Sequence, residues 1–478
     1  MNLKYRVMSG IRWRGGSNLL SQLFTWGFTV LIMRILSPED YGLLAMAGVS
    51  ITFFGLISEL GLGPAIIQNK NMSEYQLRQI LGITIIVNSA IAIMLFLLAP
   101  IISNYFNDHR LVWLIRVMSI QFIPSAFIVI PQSILTRKLD YKALSIVDFT
   151  ASIITSIITL GLATAGFGVW AIVGGMLFNV AIRTIGVNII CPFLKMPSFS
   201  FAGTRKMLVY GGNITVSRLL WTFYTQSDVL LAGKFFSSQL LGYYSVSMYL
   251  ARMPLDKIAG IINHIAFPAF AEVQHNIDNV QMYFLKAVRM LSLFAFPILW
   301  GISSISHDLI IVFLGSKWEP ASLPLQLITI IMPFSVINNV LNPLIQGIGR
   351  PEITVKNLAW ASIIMPLAFL LGINWGLKGL CVAWILGFPL VFLGNLSRLL
   401  PVIGLKIKDV TMQIAGSVLA GLAMYLIVYI IGEFILVQIE SKIKLIVMVA
   451  CGAFTYVLAI RLFAQETYVE VVALVRGT

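Results

Sequence analysis

Apolar stretches of about 20 residues, the length a helix needs to cross the hydrocarbon core of a bilayer, follow one another almost without pause along this chain. Short polar interruptions separate them. Of 478 residues 58% are hydrophobic and 11% charged, whereas a soluble domain carries about 25% charge. Water is therefore not the main solvent of this chain. The spacing predicts an all-α polytopic membrane protein with about fourteen spans. They fall near 15–36, 41–66, 79–103, 111–132, 143–164 and 168–190, then 208–233, 239–262, 287–306, 321–347, 354–372, 379–400, 411–433 and 445–463.

A net charge of +14 raises the question of nucleic acid, and its distribution answers against it. Basic clusters at Lys4, Arg6, Arg12 and Arg14, at Arg137, Lys138 and Lys142, at Lys195, Arg205 and Lys206, and at Arg398, Lys406 and Lys408 alternate with loops such as 37–40 and 165–167 that hold few or none. That alternation is the positive-inside pattern of an inner-membrane protein with both termini in the cytoplasm. The first span is too long for a cleaved signal and lacks a small-residue cleavage site, so it reads as retained. Cys191, Cys381 and Cys451 and the four histidines His109, His264, His275 and His307 lack metal-ligand spacing; no metal, cofactor or nucleic-acid partner is expected.

Four echoes between the halves set the expected architecture. Gly15-Gly16-Ser17-Asn18-Leu19-Leu20-Ser21-Gln22 resembles Gly211-Gly212-Asn213-Ile214-Thr215-Val216-Ser217-Arg218, an offset of 211 − 15 = 196. Ser37 to Gly42 resembles Ser237 to Gly242, an offset of 242 − 42 = 200. Arg137 to Asp140 pairs with Gly349 to Glu352, and Gly166 to Val169 with Gly376 to Leu380. An even number of helices per repeat gives both copies the same orientation about an axis along the membrane normal. The expected domains are thus 1–195 and 196–405, two six-helix lobes around a central cavity, with two further helices in 406–478. Two such lobes suit a transporter, since a polar cargo needs a site exposed to one side at a time.

Ionisable groups inside spans are costly and are the default functional candidates. Arg218, Arg252 and Lys257 are the basic residues read as lying inside spans. Arg218 falls roughly 15 Å deep, and its repeat counterpart is Gln22, one turn from Asn18. A guanidinium there can bind phosphate or carboxylate bidentately. The proposed cargo ligands are Arg218, Gln22, Asn18, Arg252 and Asn179. Arg252 and Asp256, spaced i, i+4, also suit an intrahelical ion pair. Asp228, Glu59 and Asp256 are the candidates for proton or sodium coupling. Asn338, Asn339 and Asn342 share a helix that Pro333 and Pro343 should bend.

The stretches Arg34 to Leu43 and Glu59 to Gln68, with Asp228, Leu241 to Ser245 and Phe267-Pro268-Ala269, resemble the polysaccharide exporters of the multidrug, oligosaccharidyl-lipid and polysaccharide exporter superfamily, and within it the colanic acid, amylovoran and teichuronic acid exporters. The resemblance implies a V-shaped two-lobe fold. It also implies passage of an undecaprenyl-pyrophosphate-linked oligosaccharide to the outer leaflet, among membrane lipids and beside glycosyltransferases and a polymerase. One rival, a multidrug or metabolite antiporter, prefers acidic groups for cationic cargo. A second, an integral-membrane enzyme, needs a catalytic constellation; the longest interruption, 263–286, holds His264, Glu272 and His275 at no useful spacing. The chain is therefore not expected to be an enzyme.

Overall fold

The computed structural model describes residues 24–59, 61–69, 72–193, 195–200, 205–436 and 438–465; for residues 59, 205–211, 213–214, 216–217 and 255–265 it describes the backbone alone. All regular structure among the described residues is helical. The chain divides into two compact units, Met1–Gly242 and Tyr243–Thr478.

In the first unit, α1 (Phe24–Ile35) turns sharply into α2 (Pro38–Glu59). Ser37 caps α2 in a reciprocal box: Asp40 N donates to Ser37 Oγ, and Ser37 N donates to Asp40 Oδ2 at 2.9 Å. Pro38 at the first helical position and Glu39 beside the positive end of the helix favour the same start. After α3 (Leu62–Gln68), Ser73 and Gln76 form a second capping box that opens α4 (Glu74–Phe106). Three short helices follow, α5 (Leu111–Ser119), α6 (Phe122–Ser125) and α7 (Val129–Arg137), then α8 (Tyr141–Thr164), α9 (Val169–Ile190) and α10 (Arg205–Phe235). The segment 195–200 is strapped along the start of α4, where Arg78 Nε donates to Met196 O at 2.7 Å and Gln79 Nε2 to Ser200 O at 2.6 Å.

Helix α11 (Ser238–Val273) leads into the second unit, which continues with α12 (Ile277–Ser304), α13 (Ser306–Phe313), α14 (Ser322–Asn338), α15 (Leu341–Gly347), α16 (Pro351–Gly372), α17 (Gly376–Leu399), α18 (Ile407–Ile430) and α19 (Ser441–Phe463). Two sequence expectations are corrected here. The fourth span, expected as one helix over 111–132, is the broken series α5–α6–α7, bent by 48°. The interruption expected over 263–286 is helical as far as Val273, with only Gln274 to Asn276 before α12. At 36 residues, α11 is about 54 Å long and outruns a hydrocarbon core of about 30 Å.

A proline ring clashes with the carbonyl four residues back, and this accounts for three breaks. Pro124 opposes Ile120, between α5 and α6; Pro131 opposes Phe127, between α6 and α7; Pro343 opposes Asn339, between α14 and α15. The last is one of the two bends expected from the sequence; Pro333 lies inside unbroken α14, and Asn338 and Asn342 fall on α14 and α15 instead of sharing one helix. Pro100 and Pro297 are accommodated inside α4 and α12.

Among the described residues, nine helical segments are long and apolar enough to cross a membrane, or ten when the bent pair counts as one span. Helices α10 and α11 are not among these segments; Arg218, Asp228 and Lys234 lie along the first, and Arg252 and Glu272 along the second. Large side chains such as Leu97 (68% exposed), Ile189 (74%) and Leu462 (78%) stand on the outside, where only hydrocarbon makes them inexpensive. These helices mark a multi-pass membrane protein.

Local geometry recurs near two of the echoes, each time two residues out of register with the sequence pairing, which set Gly349 opposite Arg137 and Gly376 opposite Gly166. Leu139 and Gly349 both have positive φ, 58° and 71°. Each ends a helix with the same pair of bonds, Leu139 N to Thr136 O and Asp140 N to Leu135 O in one, Gly349 N to Gln346 O and Arg350 N to Ile345 O in the other. Gly168 (φ 55°, ψ −135°) and Gly376 (φ 66°, ψ −152°) share a region open only to glycine, at the starts of α9 and α17. Asn18 and Gln22 lie outside the described residues.

Candidate functional site: polar faces within the apolar helices

Arg218 stands 13 residues into α10, about 20 Å along its axis, and is exposed. Trp221 (46% exposed) and Thr225 share its face at i+3 and i+7, while exposed Leu220 (41%) and Phe223 (40%) point to the other side. The helix therefore has an apolar accessible side and a second side carrying a guanidinium and an indole. Trp221, which packs edge-on to Tyr224 at 5.8 Å between centroids, was not among the expected ligands, although its i+3 spacing from Arg218 was legible. Asp228 is 2% exposed, and its Oδ1 accepts from Val229 N at 2.8 Å. The side chain of Glu59, last residue of α2, lies outside the described residues.

The antiparallel pair α8–α9 carries a second polar seam. Asn179, midway along α9, donates to Thr155 Oγ1 at 3.3 Å. One turn further, Arg183 Nε lies 3.0 Å from Asp148 Oδ1. This pair corrects the reading that Arg218, Arg252 and Lys257 are the basic residues within spans. Each member is about seven residues from a helix end, where a lone charge reads as interfacial, and they meet only because α8 and α9 form a hairpin. A β-carbon built on Gly175 would press on the Thr159 hydroxyl, which keeps the two helices close.

In the second unit, Arg252 is half-buried with its guanidinium 5.9 Å from the centre of the Trp384 ring. Trp384 in turn donates to Tyr244 Oη at 2.8 Å. The side chains of Asp256 and Lys257 lie outside the described residues. Amides here mostly join helices: Asn395 donates to Asn338 at 3.0 Å, and Arg398 to Asn357 at 3.3 Å while stacking over Trp360 at 5.2 Å.

At the α1–α2 end of the first unit, the two turns related by the offset of 200 pack directly on each other. A β-carbon on Gly42 would overlap the carbonyl of Ser238, and one on Gly242 would overlap the carbonyl of Pro38. The relation is reciprocal, residue for residue. Arg110 ties the neighbouring turns together, with Nη1 2.8 Å from Glu39, Nη2 2.7 Å from Asp108 and 3.2 Å from Ser238 Oγ. Hydrogen bonds from the Arg110 guanidinium hold the Asp108 carboxyl below its ordinary range, and the pairing raises Arg110.

Residues 31–323 match the family described as "Polysaccharide biosynthesis protein". The chain is 25% identical over 462 residues to the teichuronic acid biosynthesis protein TuaB of Bacillus subtilis (strain 168), covering 94% of each chain. It is 24% identical over 407 residues to the lipopolysaccharide biosynthesis protein WzxC of Escherichia coli (strain K12), covering 83% of this chain and 80% of that one. Among solved structures, the fold is similar to the lipid II flippase MurJ in an inward closed conformation, with a TM-score of 0.77 at 14% identity, covering 95% of this chain and 99% of that one. It is also similar to an inward-facing multidrug resistance MATE family transporter, with a TM-score of 0.63 at 14% identity and coverage of 80% and 94%.

Proposed function

This chain belongs to the polysaccharide biosynthesis protein family, and on that premise we propose that it carries lipid-linked oligosaccharide repeat units across the bacterial inner membrane by alternating access, for surface polysaccharide assembly. Undecaprenyl pyrophosphate is the carrier. The observation that carries the reading is Arg218, a cation exposed about 20 Å along α10 on the side opposite its apolar face. Charge at that depth is tolerated where water reaches it. A guanidinium beside an accessible indole suits a phosphate with sugars attached.

On this proposal the chain has fourteen spans, both termini in the cytoplasm, and lobes over 1–195 and 196–405 with two extra helices in 406–478. Asn18, Gln22, Asn179 and Arg252 join Arg218 as cargo ligands. Asp228, Glu59 and Asp256 are the coupling candidates for protons or sodium. The chain performs no bond chemistry; glycosyltransferases supply its cargo and a polymerase consumes it. The packed turns at Gly42 and Gly242 close the periplasmic end, and a transport cycle has to part them.

Deletion of the gene should leave carrier-linked repeat units accumulated on the inner leaflet. The wild-type chain should restore surface polysaccharide, while Arg218→Gln at matched protein level should not. Full polysaccharide output from Arg218→Gln would remove Arg218 from the mechanism, and output unaffected by the deletion would remove the function.

A further inference from the structure

Asp148, Ser152, Thr155 and Thr159 recur at i, i+4, i+7 and i+11 along α8 and so share one face. Ile146, Ile154 and Ile157, exposed by 46%, 40% and 56%, occupy the opposite face. The two faces differ in chemistry and in access: the apolar face is open, while the polar face packs along α9, with Thr159 only 7% exposed, and opens toward Asp148. The apolar face suits hydrocarbon. The polar face does not, yet the Asp148 side chain is 52% exposed on it and that of its partner Arg183 38%. Asp148 lies seven residues inside the start of α8 and Arg183 seven before the end of α9, roughly 10 Å along each axis. Exposed charge at that depth calls for water on that side.

The ion pair is also incomplete. Arg183 Nε is buried and makes no hydrogen bond, although Asp148 Oδ1 is 3.0 Å away. The two groups attract by charge without the parallel fork that a guanidinium makes with a well-seated oxyanion. One turn along the same seam, Asn179 donates to Thr155 at 3.3 Å, so amide and hydroxyl donors stand beside the guanidinium.

We propose that this seam is a binding site for an anionic oxyacid group of the cargo, in which Asp148 acts as a displaceable counter-ion of Arg183. The group is either the phosphate of the carrier lipid or the carboxylate of an acidic sugar. It takes the Arg183 fork, with Asn179 and Thr155 as neighbouring donors, and Asp148 swings into water. Release restores the internal pair, so the site stays neutral when empty. This rests on the transport reading above, deepens it by naming a second anion subsite, and is independent of Arg218.

The test is binding to the full chain in nanodiscs, with undecaprenyl phosphate and a soluble hexuronate disaccharide as separate probes. Displacement has a signature that a structural ion pair lacks: Arg183→Gln should weaken binding about tenfold, and Asp148→Asn, which removes the internal competitor, should tighten it several-fold. A response to the lipid alone assigns the phosphate, and a response to the disaccharide alone assigns the sugar carboxylate. Thermal unfolding of each variant, and of the charge-reversed double variant Asp148→Arg/Arg183→Asp, separates misfolding from lost affinity. Equal weakening by Arg183→Gln and Asp148→Asn, or wild-type affinity in both, would overturn the subsite. If such a result came with inner-leaflet accumulation in the deletion strain, transport would stand and only the subsite would fall.

Discussion

Two charged residues at the α1–α2 end and one within α10 lead to separate expectations. Arg218→Lys keeps the charge but not the planar fork, so it should retain part of the export that Arg218→Gln loses, read as polysaccharide per unit of protein. Trp221→Ala should lower export while leaving the thermal unfolding temperature near wild type, because the indole is 46% exposed. Asp108 gives a pH dependence whose sign is fixed. Its folded carboxyl titrates below the ordinary value because Arg110 donates to it. Its contribution is therefore complete above the unfolded carboxylate range, about pH 4, and is lost as pH falls through the lower folded value. The protection factors of residues 236–242, corrected for the intrinsic exchange rate at each pH, should fall in acid, and Asp108→Asn should show the low protection already at neutral pH. Unchanged exchange in that variant would deny Arg110 and Asp108 a part in holding the turns.

Among the helices, glycine and proline decide where chains approach and where they break. Gly42 and Gly242 each face a backbone carbonyl that cannot retreat as a flexible side chain can. Gly42→Val or Gly242→Val should force the two turns apart and raise labelling of a cysteine placed at Ser237 from the periplasmic side. Glu39 and Ser238 are already within 3.4 Å of each other through their oxygens. A Glu39→Cys/Ser238→Cys pair should be bridged by a short, reducible bifunctional thiol reagent, stop export, and recover with reductant; export that continued through the cross-link would show that these turns need not part. The broken series α5–α6–α7 follows from Pro124 and Pro131 acting four residues upstream, as Pro343 does between α14 and α15, while Pro333 leaves α14 unbroken.

For the molecule as a whole, the proposed topology puts the stretch before α18 and the stretch before α19 on opposite sides. Cysteines at Lys408 and Lys442 should accordingly react with impermeant reagent from opposite faces of inner-membrane vesicles, and reaction from the same face would break the fourteen-span count. Class, helical content and most span positions were determined by the sequence alone, because the need to bury about 20 apolar residues in hydrocarbon is a local property of each stretch. The neighbourhoods of the echoes were legible for a similar reason, since turn glycines leave a mark in the sequence, but their register was not: the sequence set Gly376 opposite Gly166, and the backbone matches it to Gly168. Depth along a helix could be counted, so Arg218 could be placed well inside α10. Partnership could not. Asp148 and Arg183 are 183 − 148 = 35 residues apart, and their charges meet because a hairpin aligns two helix faces. The mutual approach of Gly42 and Gly242 likewise depends on two turns 200 residues apart. Tertiary structure alone decided these contacts, since the free energy of a contact depends on distance in space and the sequence records distance only along the chain.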